Sequence, residues 1–150
     1  MALKKLIEST IAVILFIISN LVFSGEIKMD EIPNKNISIE QLEEMFANID
    51  SNTNWDMSSP MLWGYFFTHN EPTKLEKAKE ILTGKGYKFV DIFISDKEEE
   101  NEPDTFWLHI EKVETHTPVS LDKRNDEFYI FANDFGLDSY DGMDIGSPTN

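Results

Sequence analysis

A chain of 150 residues leaves room for one domain, and 41% hydrophobic residues with eleven Phe, four Tyr and three Trp exclude global disorder. The 28 Asp and Glu outnumber 13 Lys and Arg for a formal charge of −15, which repels phosphate backbones and anionic lipid. That balance argues against direct binding of nucleic acid and favours a basic protein partner, while the absence of cysteine removes disulfides, thiol nucleophiles and thiolate metal sites.

Lys4 and Lys5 precede an apolar run over residues 11–23, and Ser24 and Gly25 follow. This is the three-part pattern of a secretory signal peptide, with Val22 and Ser24 ahead of a cleavage before Gly25. The uncharged stretch 9–25 is also close to the minimum that crosses a hydrocarbon layer about 30 Å thick, so an uncleaved transmembrane anchor in contact with the membrane is the alternative. The early lysines, and Glu26, Asp30 and Glu31 after the run, orient the N-terminus inside and the body outside the cytoplasm. The expected location is therefore the periplasm or the outer side of the inner membrane. A cytoplasmic body is expected only if the segment is neither signal nor anchor. The chain divides into residues 1–24 as that segment, 25–54 as a tether with a short helix, 55–146 as the domain and 147–150 as a tail.

Ser38-Ile39-Glu40-Gln41 is a capping-box start, and Ile39, Leu42, Met45, Phe46 and Ile49 recur at helical spacing to about Asp50. After the polar loop 51–54, the aromatic-rich run 61–68 reads as a strand buried on both faces. Pro72 opens a second helix whose buried stripe is Leu75, Ala78, Ile81 and Leu82, and Gly84 and Gly86 stop it. Residues 87–94 are the next strand. An acidic loop, 96–104, separates it from strand 105–113, in which Phe106, Leu108 and Ile110 alternate with Trp107, His109 and Glu111. Thr117-Pro118 caps a third helix with Leu121, Phe128, Phe131, Ala132 and Phe135 on its inner stripe and Gly136 at its end; residues 137–143 form a last short strand.

The predicted class is α+β, a ferredoxin-like βαββαβ unit whose antiparallel sheet carries two helices on one face, preceded by the short amphipathic helix and the N-terminal hydrophobic segment. The open sheet face is where such domains bind partners. Trp107, His109 and Glu111 are expected on it unless Trp107 packs beneath the leading helix.

Leu75-Glu76-Lys77-Ala78 with Gly86-Tyr87, then Trp107-Leu108-His109-Ile110-Glu111, the long helix ending at Gly136 and the closing Tyr140-Asp141-Gly142 follow one another in an order and spacing that resembles the regulator of ribonuclease E activity B family, the RraB-type ribonuclease E inhibitors. The resemblance runs from about Trp55 to Gly146, with Met143 standing where the family usually has tryptophan. It implies a non-enzymatic protein that inhibits an endoribonuclease by binding its scaffold region, with Trp107, His109, Glu111, Tyr140, Asp141 and Gly142 as the candidate binding residues. An exported or membrane-tethered binding or immunity-type protein with a different partner is the alternative, because ribonuclease E works in the cytoplasm.

Chemistry finds little support. The spacing of His69, His109 and His116 matches no helix-based metal motif, although Glu111 and Glu114 lie near two of them, so an exported histidine- and carboxylate-dependent enzyme is the least favoured reading. Asp138, Asp141, Gly142 and Asp144 lack the ligand alternation and closing glutamate of a calcium loop and read as a turn with exposed acids. Glu98, Glu99, Glu100, Glu102 and Asp104 read as a solvated loop. No catalytic residue, metal or cofactor is assigned.

Overall fold

In a computed structural model, residues 32–148 are described. The predicted signal or anchor segment and most of the tether lie outside them.

Helix α1, Ile39–Asn52, begins at the expected capping box: the Ser38 hydroxyl accepts the Gln41 N–H, and the Gln41 side chain accepts the Ser38 N–H at 2.8 Å. It buries Leu42, Met45 and Ile49, and Thr53 closes it by donating both its N–H and its hydroxyl to the Ile49 carbonyl. Strand β1, Met61–His69, is buried along almost its whole length, as its unbroken apolar run requires. Helix α2, Pro72–Gly84, starts on proline without a side-chain cap. It buries Leu75, Ala78 and Leu82, but Ile81, expected on that stripe, is 40% exposed. Strands β2, Lys88–Ile94, and β3, Phe106–Glu114, form a hairpin across the acidic loop. Helix α3, Pro118–Phe135, has a reciprocal Thr117/Ser120 cap and stops at Gly136, whose φ of +71° only glycine adopts without strain. Strand β4, Ser139–Gly146, starts and ends later than the predicted 137–143.

The sheet order is β2-β3-β1-β4, and every neighbouring pair is antiparallel. The molecule is thus an α+β arrangement of one four-stranded antiparallel sheet and three helices. Alternation along β1 sends Trp63, Tyr65 and Phe67, all fully buried, toward the helices. Tyr65 and Phe67 meet Phe128 of α3 at 4.7 and 5.2 Å between ring centroids. Burying three such rings supplies about 2–3 kcal/mol each and makes β1 the spine of the core.

The leading helix was expected to stand ahead of the domain, inside segment 25–54. Instead Phe46 stacks on Trp63 at 6.1 Å, and Leu42, Met45 and Ile49 join the same core as α2 and α3. All three helices therefore share one face, where the sequence expected two. Its amphipathic stripe is the reason: an apolar face of that size has to be covered, and the flank of α3 beside Trp63 covers it.

Candidate functional site

The face of the sheet opposite the helices is made by the alternate residues. In register, β1 contributes Gly64 and Phe66, β3 contributes Trp107, His109 and Glu111, β2 contributes Lys88, Asp91 and Phe93, and β4 contributes Asp144. Among the described residues, no helix lies on it.

Two features compose this face. One is an aromatic strip: Trp107 stacks on Phe93 at 6.2 Å with the planes 11° apart, and meets Phe66 edge-on at 6.4 Å. Trp107 is therefore not under α1, which lies across the sheet against Trp63. Its indole N–H is buried and has no hydrogen-bond partner among the described residues.

The other feature is a polar cluster over Gly64. His109 stacks on Phe66 at 4.4 Å, and its Nε2 is 3.6 Å from Glu111 Oε1, too far for a hydrogen bond, and is otherwise unpartnered. Burial pulls His109 down to about 4, with Asp91 opposing weakly, so the ring is neutral at ordinary pH. Burial raises Asp144 to about 6; the Glu111 charge adds to this, and hydrogen bonding with the Gly64 backbone works against it. Glu111 is likewise raised by burial, opposed by Lys88. Gly64 is what lets these groups converge. A Cβ there would stand 2.2 Å from Asp144 Oδ1 and 2.8 Å from His109 Nε2, so any side chain would collide with both.

Of the six residues singled out from sequence, Trp107, His109 and Glu111 thus share the open face, while Gly142 pairs with Phe66 at a φ of +112° and a Cβ there would meet Ile37 of the core. Tyr140 turns inward, packs against Phe67, Phe128 and Tyr129, and donates its hydroxyl to Asn125 Oδ1 at 2.7 Å. Asp141 is exposed at the irregularity between Tyr140 and Gly142. Asp144, read as an exposed turn acid, is instead buried within a strand. Gly64, Phe66 and Asp144 were missed as site residues. A glycine inside an aromatic strand is a signal of close approach that would have pointed to the first.

A second polar cluster sits on the helix side. Glu114 accepts from Arg124 Nη1 at 2.9 Å and from the Tyr65 hydroxyl at 3.2 Å, and pairs with His116 Nε2 at 3.1 Å. Arg124 also donates to the Tyr87 hydroxyl, and Ser120 Oγ engages His116 Nδ1 at 3.0 Å. Burial opposes ionisation of Glu114, but the bonds from His116 and Arg124 and the Arg124 charge hold it at about 2. Burial pushes Tyr87 up to about 12, with Arg124 opposing. This cluster ties α3 to β3. It also separates the histidines, because His109 and His116 look out from opposite faces of the sheet and cannot serve one metal or one proton relay. Among the described residues, no three His, Asp or Glu side chains are grouped as metal ligands, and no helix is long and apolar enough to cross a membrane.

Three helices covering one sheet face, a structural ion cluster beneath them, and an opposite face of aromatic rings and unpartnered polar atoms define a domain of the α+β class with one open sheet face. No curated protein matches the chain. A family model does: Regulator of ribonuclease activity B matches residues 39–145, and the chain belongs to that family. The match begins at the first residue of α1, in keeping with that helix's place in the core. Membership supports a regulatory role exercised by binding protein, in a family that is non-catalytic.

Proposed function

We propose that this protein restrains an endoribonuclease of the ribonuclease E type by binding its non-catalytic scaffold through the open face of the sheet. The observation that carries the reading is that face itself: Trp107, His109 and Glu111 stand together there with two buried polar atoms unpartnered, in a chain of the regulator family. The strand order and the two crossovers through α2 and α3 support a ferredoxin-like description of the domain. The charge of −15 favours a basic segment as target and makes the RNA itself a poor one. Binding to the scaffold would slow cleavage without any chemistry by the regulator. The test is a cleavage assay on a structured RNA, run with the scaffold-bearing endoribonuclease and with its catalytic portion alone. Slowing of the first only is expected. Equal slowing of both, or of neither at saturating protein, refutes the reading.

The signal-like N-terminus favours a second reading, in which the body lies outside the cytoplasm, free or anchored, and binds a different basic protein. Intact mass and cell fraction decide between them. Loss of residues 1–24 with recovery in the envelope supports the second reading, and a full-length protein in the cytoplasm supports the first.

A further inference from the structure

We infer that the polar cluster over Gly64, formed by His109, Glu111 and Asp144, is the docking point of a cationic side chain, lysine or arginine, presented by the partner protein. The inference rests on the protein-binding reading and names the chemistry that the open face takes.

The charges on this face do not balance among themselves. Lys88 and Asp91 from β2, Glu111 from β3 and Asp144 from β4 bear on the cluster, and the β1 residues beneath it, Gly64 and Phe66, bring no charge. Lys88 stands opposite Glu111 in register and offsets one of the three acids. Asp144 is 8% exposed and, among the described residues, has no side-chain cation within ion-pair distance, an arrangement that is costly unless something completes it. The acids alone would be a solvated patch. What marks a docking point is His109, itself 8% exposed, whose Nε2 flanks the position above Gly64 with the Asp144 carboxylate and has no hydrogen-bond partner among the described residues. A neutral imidazole has a tautomer that presents Nε2 as an acceptor, so His109, Asp144 and Glu111 together offer more acceptors than the backbone donation to Asp144 satisfies. A lysine or arginine supplies donors and positive charge on a long apolar stem, and the aromatic wall of Phe66 and Trp107 suits that stem. An anionic or neutral occupant would leave the carboxylates uncompensated.

The probe is an N-acetyl-Gly-Arg-Gly amide peptide, with its citrulline counterpart as the neutral control, titrated into the full chain labelled at tryptophan nitrogen. The Trp107 indole signal is the reporter. Trp63, whose indole donates to the Glu114 carbonyl at 3.1 Å on the opposite face, is the internal reference. The arginine peptide is expected to move Trp107 saturably and leave Trp63 still, and Asp144→Asn is expected to weaken it about tenfold. Asp134→Asn, at an exposed position on α3, should leave it unchanged. Affinity should rise between about pH 5 and 7, as Asp144 ionises. The inference is overturned if citrulline binds as well as arginine, if both variants weaken equally, or if the Trp107 signal responds only to protein concentration, which would assign the face to a second copy. Should Asp144→Asn inhibit the endoribonuclease with wild-type potency, this inference falls and the binding reading stands.

Discussion

Replacing Glu114 by glutamine removes one negative charge from a site with three polar partners. Arg124 Nη1 lies 2.9 Å from the carboxylate, His116 Nε2 3.1 Å and the Tyr65 hydroxyl 3.2 Å, and the Glu114 side chain is 13% exposed. The carboxyl is held at about 2 against an ordinary 4.5. That difference corresponds to about 3 kcal/mol, reduced to about 2 kcal/mol because the site keeps some contact with solvent. A folded-state value below the unfolded one means that this stability is fully present above pH 4.5 and is lost as the pH falls toward 2. Glu114→Gln should therefore unfold in urea with a loss of about 2 kcal/mol at pH 7 and an unchanged m-value, and the gap from wild type should close toward about pH 2. A loss below about 0.5 kcal/mol at pH 7, or a gap that persists unchanged in acid, would refute the assignment of Glu114 as the clamp between β3 and α3.

Asp144 should behave in the opposite sense. Its folded value of about 6 lies above the ordinary 3.8, so its contribution is favourable below 3.8 and is lost as the pH rises through about 6. Asp144→Asn should stabilise the protein by about 2 kcal/mol at pH 7, with the gain vanishing below about pH 4, as read by denaturation at both pH values. Tyr140→Phe leaves fully buried Asn125, whose Nδ2 is already unpartnered, without its remaining bond, and should cost about 1–3 kcal/mol with little effect on partner binding. Gly136→Ala forces a side chain into a left-handed position 2.9 Å from the Lys74 amine and should lower thermal stability by about 1 kcal/mol or more.

The elements themselves were legible because their signals are local. Capping boxes at Ser38 and Thr117 satisfy helix N–H groups within four residues, the glycine at 136 meets a backbone requirement of its own residue, and the run through Trp63, Tyr65 and Phe67 can only be a buried strand. The alternation over residues 106–111 separates Trp107, His109 and Glu111 from the core side. Ile81 misled because it lies at the margin of its helix's apolar stripe, where helical spacing alone does not decide burial. Tyr140, a candidate through the family resemblance alone, faces the helices while Gly142 pairs with Phe66, because the register of β4 against β1 shifts between Phe66 and Phe67. One extra residue exchanges the two faces, and pairing rather than pattern reveals it.

By itself, then, the sequence determined the helices, the strands and their order, the acidity and the family pattern, since each is written in contiguous residues or in spacing along the chain. Tertiary structure alone decided three things. It brought α1 onto the same face as α2 and α3, because a third apolar stripe had to find cover. It sent His109 and His116 to opposite sides of the sheet. It also gathered Asp144, His109 and Glu111 above Gly64 from three strands, a convergence that depends on cross-strand register and on one residue without a side chain, neither of which is carried by any single stretch of sequence.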